Sequence, residues 1–170
     1  MNLLLRIAIE DFGRMSRWWV RKVHLLRGYF FMAALENAAF PYYCTEKIWH
    51  AIMAGCLPEY MPVLVAAIEA MCDEPFNLYG VQATTHLCAP LVIVNGPIVQ
   101  ELGLNAGHNA FGPGTKSNAT IGRAIRLALV NIGGAIPTLG DMSTFGAPSK
   151  VSYVVAENEA GNPWEPLHVE

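Results

Sequence analysis

Charge is scarce in this chain. Only 15% of its 170 residues are Asp, Glu, Lys or Arg, against about 25% in an ordinary soluble domain. The net charge of −3 argues against a general nucleic-acid binder, which needs a basic balance. No run reaches the ~18 uninterrupted apolar residues of a membrane span. Leu3-Leu4-Leu5 is followed at once by Arg6, so a secretory h-region is missing. Cys44, Cys56, Cys72 and Cys88 include no CxxC pair and suggest no zinc-ligand cluster. They read as free thiols in a reducing cytoplasm.

What is present is apolar. Hydrophobic residues make up 53% of the chain, with four Trp, six Tyr and seven Phe, which excludes a disordered polar tail. A chain of this length forms one domain and buries roughly 70% of its unfolded surface. The apolar surplus points to burial against a partner or to a fragment of something larger. Charge is also unevenly shared. Residues 1–30 carry six basic and two acidic side chains, and the remainder carries five and twelve. Residues 1–43 therefore read as a basic, aromatic arm preceding a domain over 44–170. Within the arm, residues 14–26 interleave Trp18, Trp19, Val20 and Leu25 with Arg and Lys. That pattern suits either peripheral contact with a membrane or packing on the domain, with the cationic stems covering apolar surface.

The periodicity predicts a helical hairpin turning at Gly55-Cys56-Leu57. Its first arm starts after Thr45, and its second runs from Pro58 to Cys72 with Met61, Val63, Leu64, Ala67, Ile68 and Met71 on one face. Gln82–His86, Leu91–Val94 and Val151–Val155 read as strands. Pro97–Leu102 reads as one or two helical turns. Asn118–Ile132 is the clearest helix, with Ser117 as its cap and Gly133-Gly134 as its end. The expected fold is α+β, or a small α/β fold, with the hairpin and a central helix packed on a few-stranded sheet.

Three places could carry chemistry. The loop with Gly107, Asn109, Gly112 and Gly114 runs through Lys116, Ser117 and Asn118 into a helix N-terminus. It is neither a Walker A loop nor G-x-G-x-x-G. Backbone N–H groups and the helix dipole could still cradle an anionic group there, or the loop could simply close on its cap. Cys56 stands just before a helix start, where a thiol pKa is lowered, and Glu59 lies three residues on. A small buried residue at a turn explains the same cysteine. His86, between Thr85 and Cys88, could serve as acid or base. Glu157 and Glu159 leave a strand end and share one side if extended, although a solvated strand exit explains them as well. Glu165 and His168 belong to a patternless tail.

Several segments in one order carry a resemblance: Ala54-Gly55-Cys56-Leu57-Pro58-Glu59-Tyr60, Phe76-Asn77-Leu78-Tyr79-Gly80, Val94-Asn95-Gly96-Pro97, Asn109-Ala110-Phe111-Gly112-Pro113-Gly114, Asn118-Ala119-Thr120-Ile121-Gly122-Arg123-Ala124, Ala156-Glu157-Asn158-Glu159 and Trp164-Glu165-Pro166-Leu167-His168-Val169. Over about residues 45–170 the chain resembles a bacterial family associated with UGSC-motif (seleno)proteins, named for a Sec/Cys-Gly-Ser-Cys redox motif. This chain lacks that motif, and residues 1–43 depart from the family's usual start. The resemblance implies thiol-dependent oxidoreductase or C–S bond-processing chemistry on a small anionic substrate, with a UGSC-type redox protein or domain as partner. Cys56 would then be the thiolate, with Glu59 or His86 as acid/base. Asn95, Gly107, Asn109, Gly112, Gly114, Ser117, Asn118, Arg123, Glu157 and Glu159 would bind substrate. It names no cofactor and no metal. A non-catalytic substrate-binding or assembly subunit of a larger complex is the alternative.

Overall fold

The computed structural model describes Leu4–Ile7 and residues 53–169. The first arm of the expected hairpin lies outside the described residues as far as Ile52. So does the amphipathic stretch 14–26, and so does Cys44. Met53 and Ala54 are helical, and Gly55 turns the chain at φ +88°. A 3-10 turn at Pro58–Tyr60 then feeds helix α1, Met61–Cys72. Met61, Val63, Leu64, Ala67 and Met71 are its buried residues, and Ile68 packs at the margin of the core. The helical spacing read from the sequence is therefore the face that meets the sheet.

The segment after α1 departs from expectation. Gln82–His86 is not a strand: Leu78–Ala83 forms a short helix, α2, and Thr84–His86 is a bend. Asn77 decides this locally. It adopts the left-handed conformation at φ +50°, and its side chain accepts the Gly80 N–H, so the helix has a polar cap that the β-branched Thr84 and Thr85 follow too late to oppose.

Among the described residues the sheet has three parallel strands: β1 (Leu4–Ile7), β2 (Leu91–Val94) and β3 (Val154–Ala156), in that order. Leu4 pairs with Leu91, and Val92 with Val154. Val92 and Val94 are buried while Leu91 and Ile93 are half-buried. Between β2 and β3 come a short helix, α3 (Ile98–Glu101), and the long helix α4 (Lys116–Asn131). Ile121, Ala124, Ile125 and Leu129 of α4 join α1, β2 and β3 in one core. Among the described residues the fold is α+β, four helices packed on a small parallel sheet. The last strand begins three residues later than the expected Val151, because Ser152 instead donates its hydroxyl to the Asn118 carbonyl. Gly122 is required at this crossing. A Cβ there would stand 2.9 Å from both Ser152 Cα and Tyr153 N, too close for any other residue without displacing β3.

The loop after α4 is held by a charge cluster with no counterpart in the sequence reading. Asp141 is buried and accepts from Arg126 Nη2 and from Lys150 Nζ, each at 2.9 Å. Arg126 also donates to Gln82 Oε1 and to the Ala135 carbonyl. No helix among the described residues is long and apolar enough to cross a membrane.

Burial alone would raise the Asp141 pKa. The Lys150 hydrogen bond, the Ser143 N–H and the charges of Lys150 and Arg126 outweigh it and hold the carboxyl below the usual aspartate value. The unfolded chain therefore takes up this proton first as pH falls. Stability from the cluster should be complete at neutral pH and drain away through and below pH ~4. Asp141→Ala should cost about 3 kcal/mol at pH 7, since two cations lose a buried counter-charge. Urea unfolding at pH 7 and pH 3 checks both, and the Asp141→Asn chain should show the flatter acid dependence.

Candidate functional site at the carboxyl edge of the sheet

In a β2–α4–β3 crossover the strands end where the helix begins, so one edge of the sheet collects both strand exits and the start of α4. Asn95 and Gly96 leave β2 there, and Glu157, Asn158 and Glu159 leave β3. The Glu157 N–H donates to the Val94 carbonyl at 2.8 Å, carrying the ladder one step past β3. The two exits are then tied by side chains. Asn95 Nδ2 donates to Glu157 Oε2 at 3.2 Å, and the Gly96 N–H donates to Glu159 Oε1 at 2.7 Å. Gly96 takes φ +78°, the left-handed turn that aims its N–H at that carboxylate.

Glu157 also gathers the C-terminal segment. It accepts the Leu167 N–H on both oxygens at 3.1 Å and Asn162 Nδ2 at 3.4 Å. This brings His168 to the edge, with its Nδ1 3.6 Å from Glu159 Oε1. One ligand atom each from Glu157, Glu159 and His168 falls within a 4.8 Å set. His168 lies in the Trp164–Val169 segment of the resemblance, which gives it no role, and only the fold of the segment around Glu157 delivers it to the edge. Asn95 is 1% exposed, and its Oδ1 has no hydrogen-bond partner.

The Gly- and Asn-rich loop reaches the same edge, but its polar groups serve the loop itself. Asn118 lies in the first turn of α4 and is buried; its Oδ1 accepts the Asn105 N–H, and its Nδ2 donates to the carbonyls of Asn105 and Ala110. The Asn105 carbonyl in turn accepts the Ala156 N–H. Asn109 holds φ +59°, and a Cβ on Gly112 would collide with its side chain. Gly107 donates its N–H to Asn105 Oδ1. Ser117 is not the helix cap. The cap is the extended Thr115, while Ser117 sits inside the first turn and donates to the Gly103 carbonyl at 2.8 Å. Arg123 points outward and exposed, and Arg126 one turn on is the half-buried arginine that meets Asp141.

Cys56 also meets α4, since its Sγ donates to the Thr120 carbonyl at 3.2 Å. Burial pushes its thiol up, and the Thr120 bond and the nearby Lys116 only partly offset that. Burial raises Tyr60 next door too, helped by Cys56 and Glu59. Glu59 is exposed on the 3-10 turn. His86 is exposed in its bend, where its carbonyl accepts the Ser143 hydroxyl, so its backbone docks the Asp141 loop. Cys88 donates to the Val81 carbonyl. A cleft at the opposite edge, lined by Pro90, Val92, Arg126, Lys150 and Tyr153, has both its cations engaged by Asp141.

No protein-family model, curated protein or solved structure matches the chain.

Two outcomes follow from these contacts. Asn118→Ala should lower stability by about 2 kcal/mol in chemical denaturation, because it strands the Asn105 N–H and carbonyls in a partly buried loop. Cys56, held as a thiol, should react with iodoacetamide at pH 7 more slowly than the exposed Cys72, as read by peptide mass mapping.

Proposed function

We propose that this chain is an enzyme domain that acts on a small polar molecule at the carboxyl edge of its sheet. Glu157 and Glu159 are its ionisable groups, oriented by the Asn95 side-chain amide and the Gly96 N–H respectively. One observation carries the reading: both strand exits converge, and Asn95 and Gly96 hydrogen-bond the two carboxylates across the gap. Parallel sheets bind ligands at that edge. Carboxylates and imidazoles are the side-chain types that most often serve as general acids and bases.

Thiol-dependent redox or C–S chemistry, with a UGSC-type protein as partner, is the second reading. It is favoured by the Cys56 contact with the first turn of α4, which starts at the same edge. The raised thiol pKa counts against it, since a thiolate is the reactive form. Tyr79, Phe145 and Trp164 stand 83%, 96% and 78% exposed, and such side chains supply anchors for a protein partner.

Thermal unfolding of the full chain with a panel of small carboxylates, thiols and phosphates separates the readings. A ligand at a hundredfold excess over its Kd adds about 2.7 kcal/mol, a rise of several degrees. The rise should vanish in Glu159→Gln and persist in Cys56→Ser. The opposite pattern moves the site to the thiol.

A further inference from the structure

We propose that Glu157, Glu159 and His168, next to the unpartnered Asn95 Oδ1, bind one divalent transition-metal ion of the zinc or manganese kind. The proposal concerns the same edge as the enzymatic reading and rests on it for the ion's use in chemistry, though not for its binding.

Two independent features point to the ion. The first is the donor set. Ligand atoms of Glu157, Glu159 and His168 lie within 4.8 Å of one another. Donors about 2.1 Å from one ion stand roughly 3–4.2 Å apart, so small side-chain adjustments close the set. The His168 Nδ1 to Glu159 Oε1 separation of 3.6 Å already falls in that range and is too long for a hydrogen bond. The second is Asn95. Its side chain is almost wholly buried, its Nδ2 donates to Glu157, and its Oδ1, on the same planar amide, lacks any hydrogen-bond partner. A buried carbonyl oxygen without a donor is costly in a folded protein. The carboxylate contact fixes which end of the amide is which and leaves Oδ1 as an open acceptor that a cation at Glu157, or a water it holds, would satisfy. His168 Nδ1 is a second buried atom without a hydrogen bond at the same place.

The mixture of oxygens and one imidazole selects the metal. Mg2+ and Ca2+ favour oxygen alone, whereas an imidazole suits Zn2+ and Fe2+ and the two carboxylates suit Mn2+. The carboxylates are already oriented by the N–H groups of Gly96 and Leu167, the kind of support that metal ligands require. Three donors from the chain leave positions for substrate or water.

The test uses the full chain, stripped with a chelator and titrated with Zn2+ or Mn2+ alone by calorimetry. One ion per chain is expected, bound well above Mg2+, with affinity falling at least about tenfold in His168→Ala and in Glu159→Gln. Both residues are half-exposed, so circular dichroism should show intact folds. If either variant unfolds, paramagnetic Mn2+ still reports on the unaltered chain, because amide signals of Gly96 and Leu167 should broaden first. Absence of saturable binding, equal binding by both variants, or broadening centred elsewhere overturns the proposal. A chain that binds no ion yet loses its small-molecule stabilisation in Glu159→Gln keeps the enzymatic edge without the metal. A chain that binds the ion at these residues but no panel ligand keeps the metal without the enzymatic reading.

Discussion

Asn118 is the constraint on which the carboxyl edge depends. It clasps the Asn105 peptide from both sides, accepting its N–H and donating to its carbonyl. That carbonyl receives Ala156, and the Asn118 carbonyl receives Ser152. One buried amide thus fixes α4, the loop before it and β3 in one register. A side chain of fixed length and two-ended polarity sets the height at which Glu157 and Glu159 leave the sheet. An aliphatic residue of the same size would fill the space without holding that height.

The two edges of the sheet solve different problems. At the amino edge, two cations close on one buried carboxylate, an arrangement saturated by its own members. At the carboxyl edge, two carboxylates meet an imidazole, and a buried amide oxygen lacks a donor. The first distribution of charge is complete in itself and suits holding a loop. The second has surplus acceptors and suits meeting something cationic. Parallel strands generate this division, because every exit falls on one side and every entry on the other.

Local pattern made part of this legible. Helices α1 and α4 follow from apolar residues one turn apart and from Gly133-Gly134, where Gly134 takes φ +69°. Leu91–Val94 reads as a strand from its unbroken β-branched and aliphatic run. The segment near Gln82 was misleading, since its helix depends on the left-handed Asn77 while Thr84 and Thr85 suggest extension. Glu157 and Glu159 stood out because polar residues follow a strand, and Asn95 stood out only through the resemblance. The loop residues stood out too, but Asn118 and Asn109 serve backbone closure rather than a ligand. Asp141 and Lys150 gave no signal, and His168 no role, because their partners are set by tertiary contacts. Arg126 and Arg123 are equally basic in sequence, and only burial separates them.

The order of strand pairing carries a consequence for how the molecule assembles. Leu4 must wait for Leu91, and Val92 for Val154, so no strand finds its neighbour nearby in the chain. Such a topology folds slowly, because each pairing closes a long loop before it gains contacts. During synthesis β1 emerges as an unsatisfied edge before its partner β2 is translated. Its Leu-rich backbone then depends on helix formation elsewhere, or on a chaperone, to keep from pairing with a neighbouring chain.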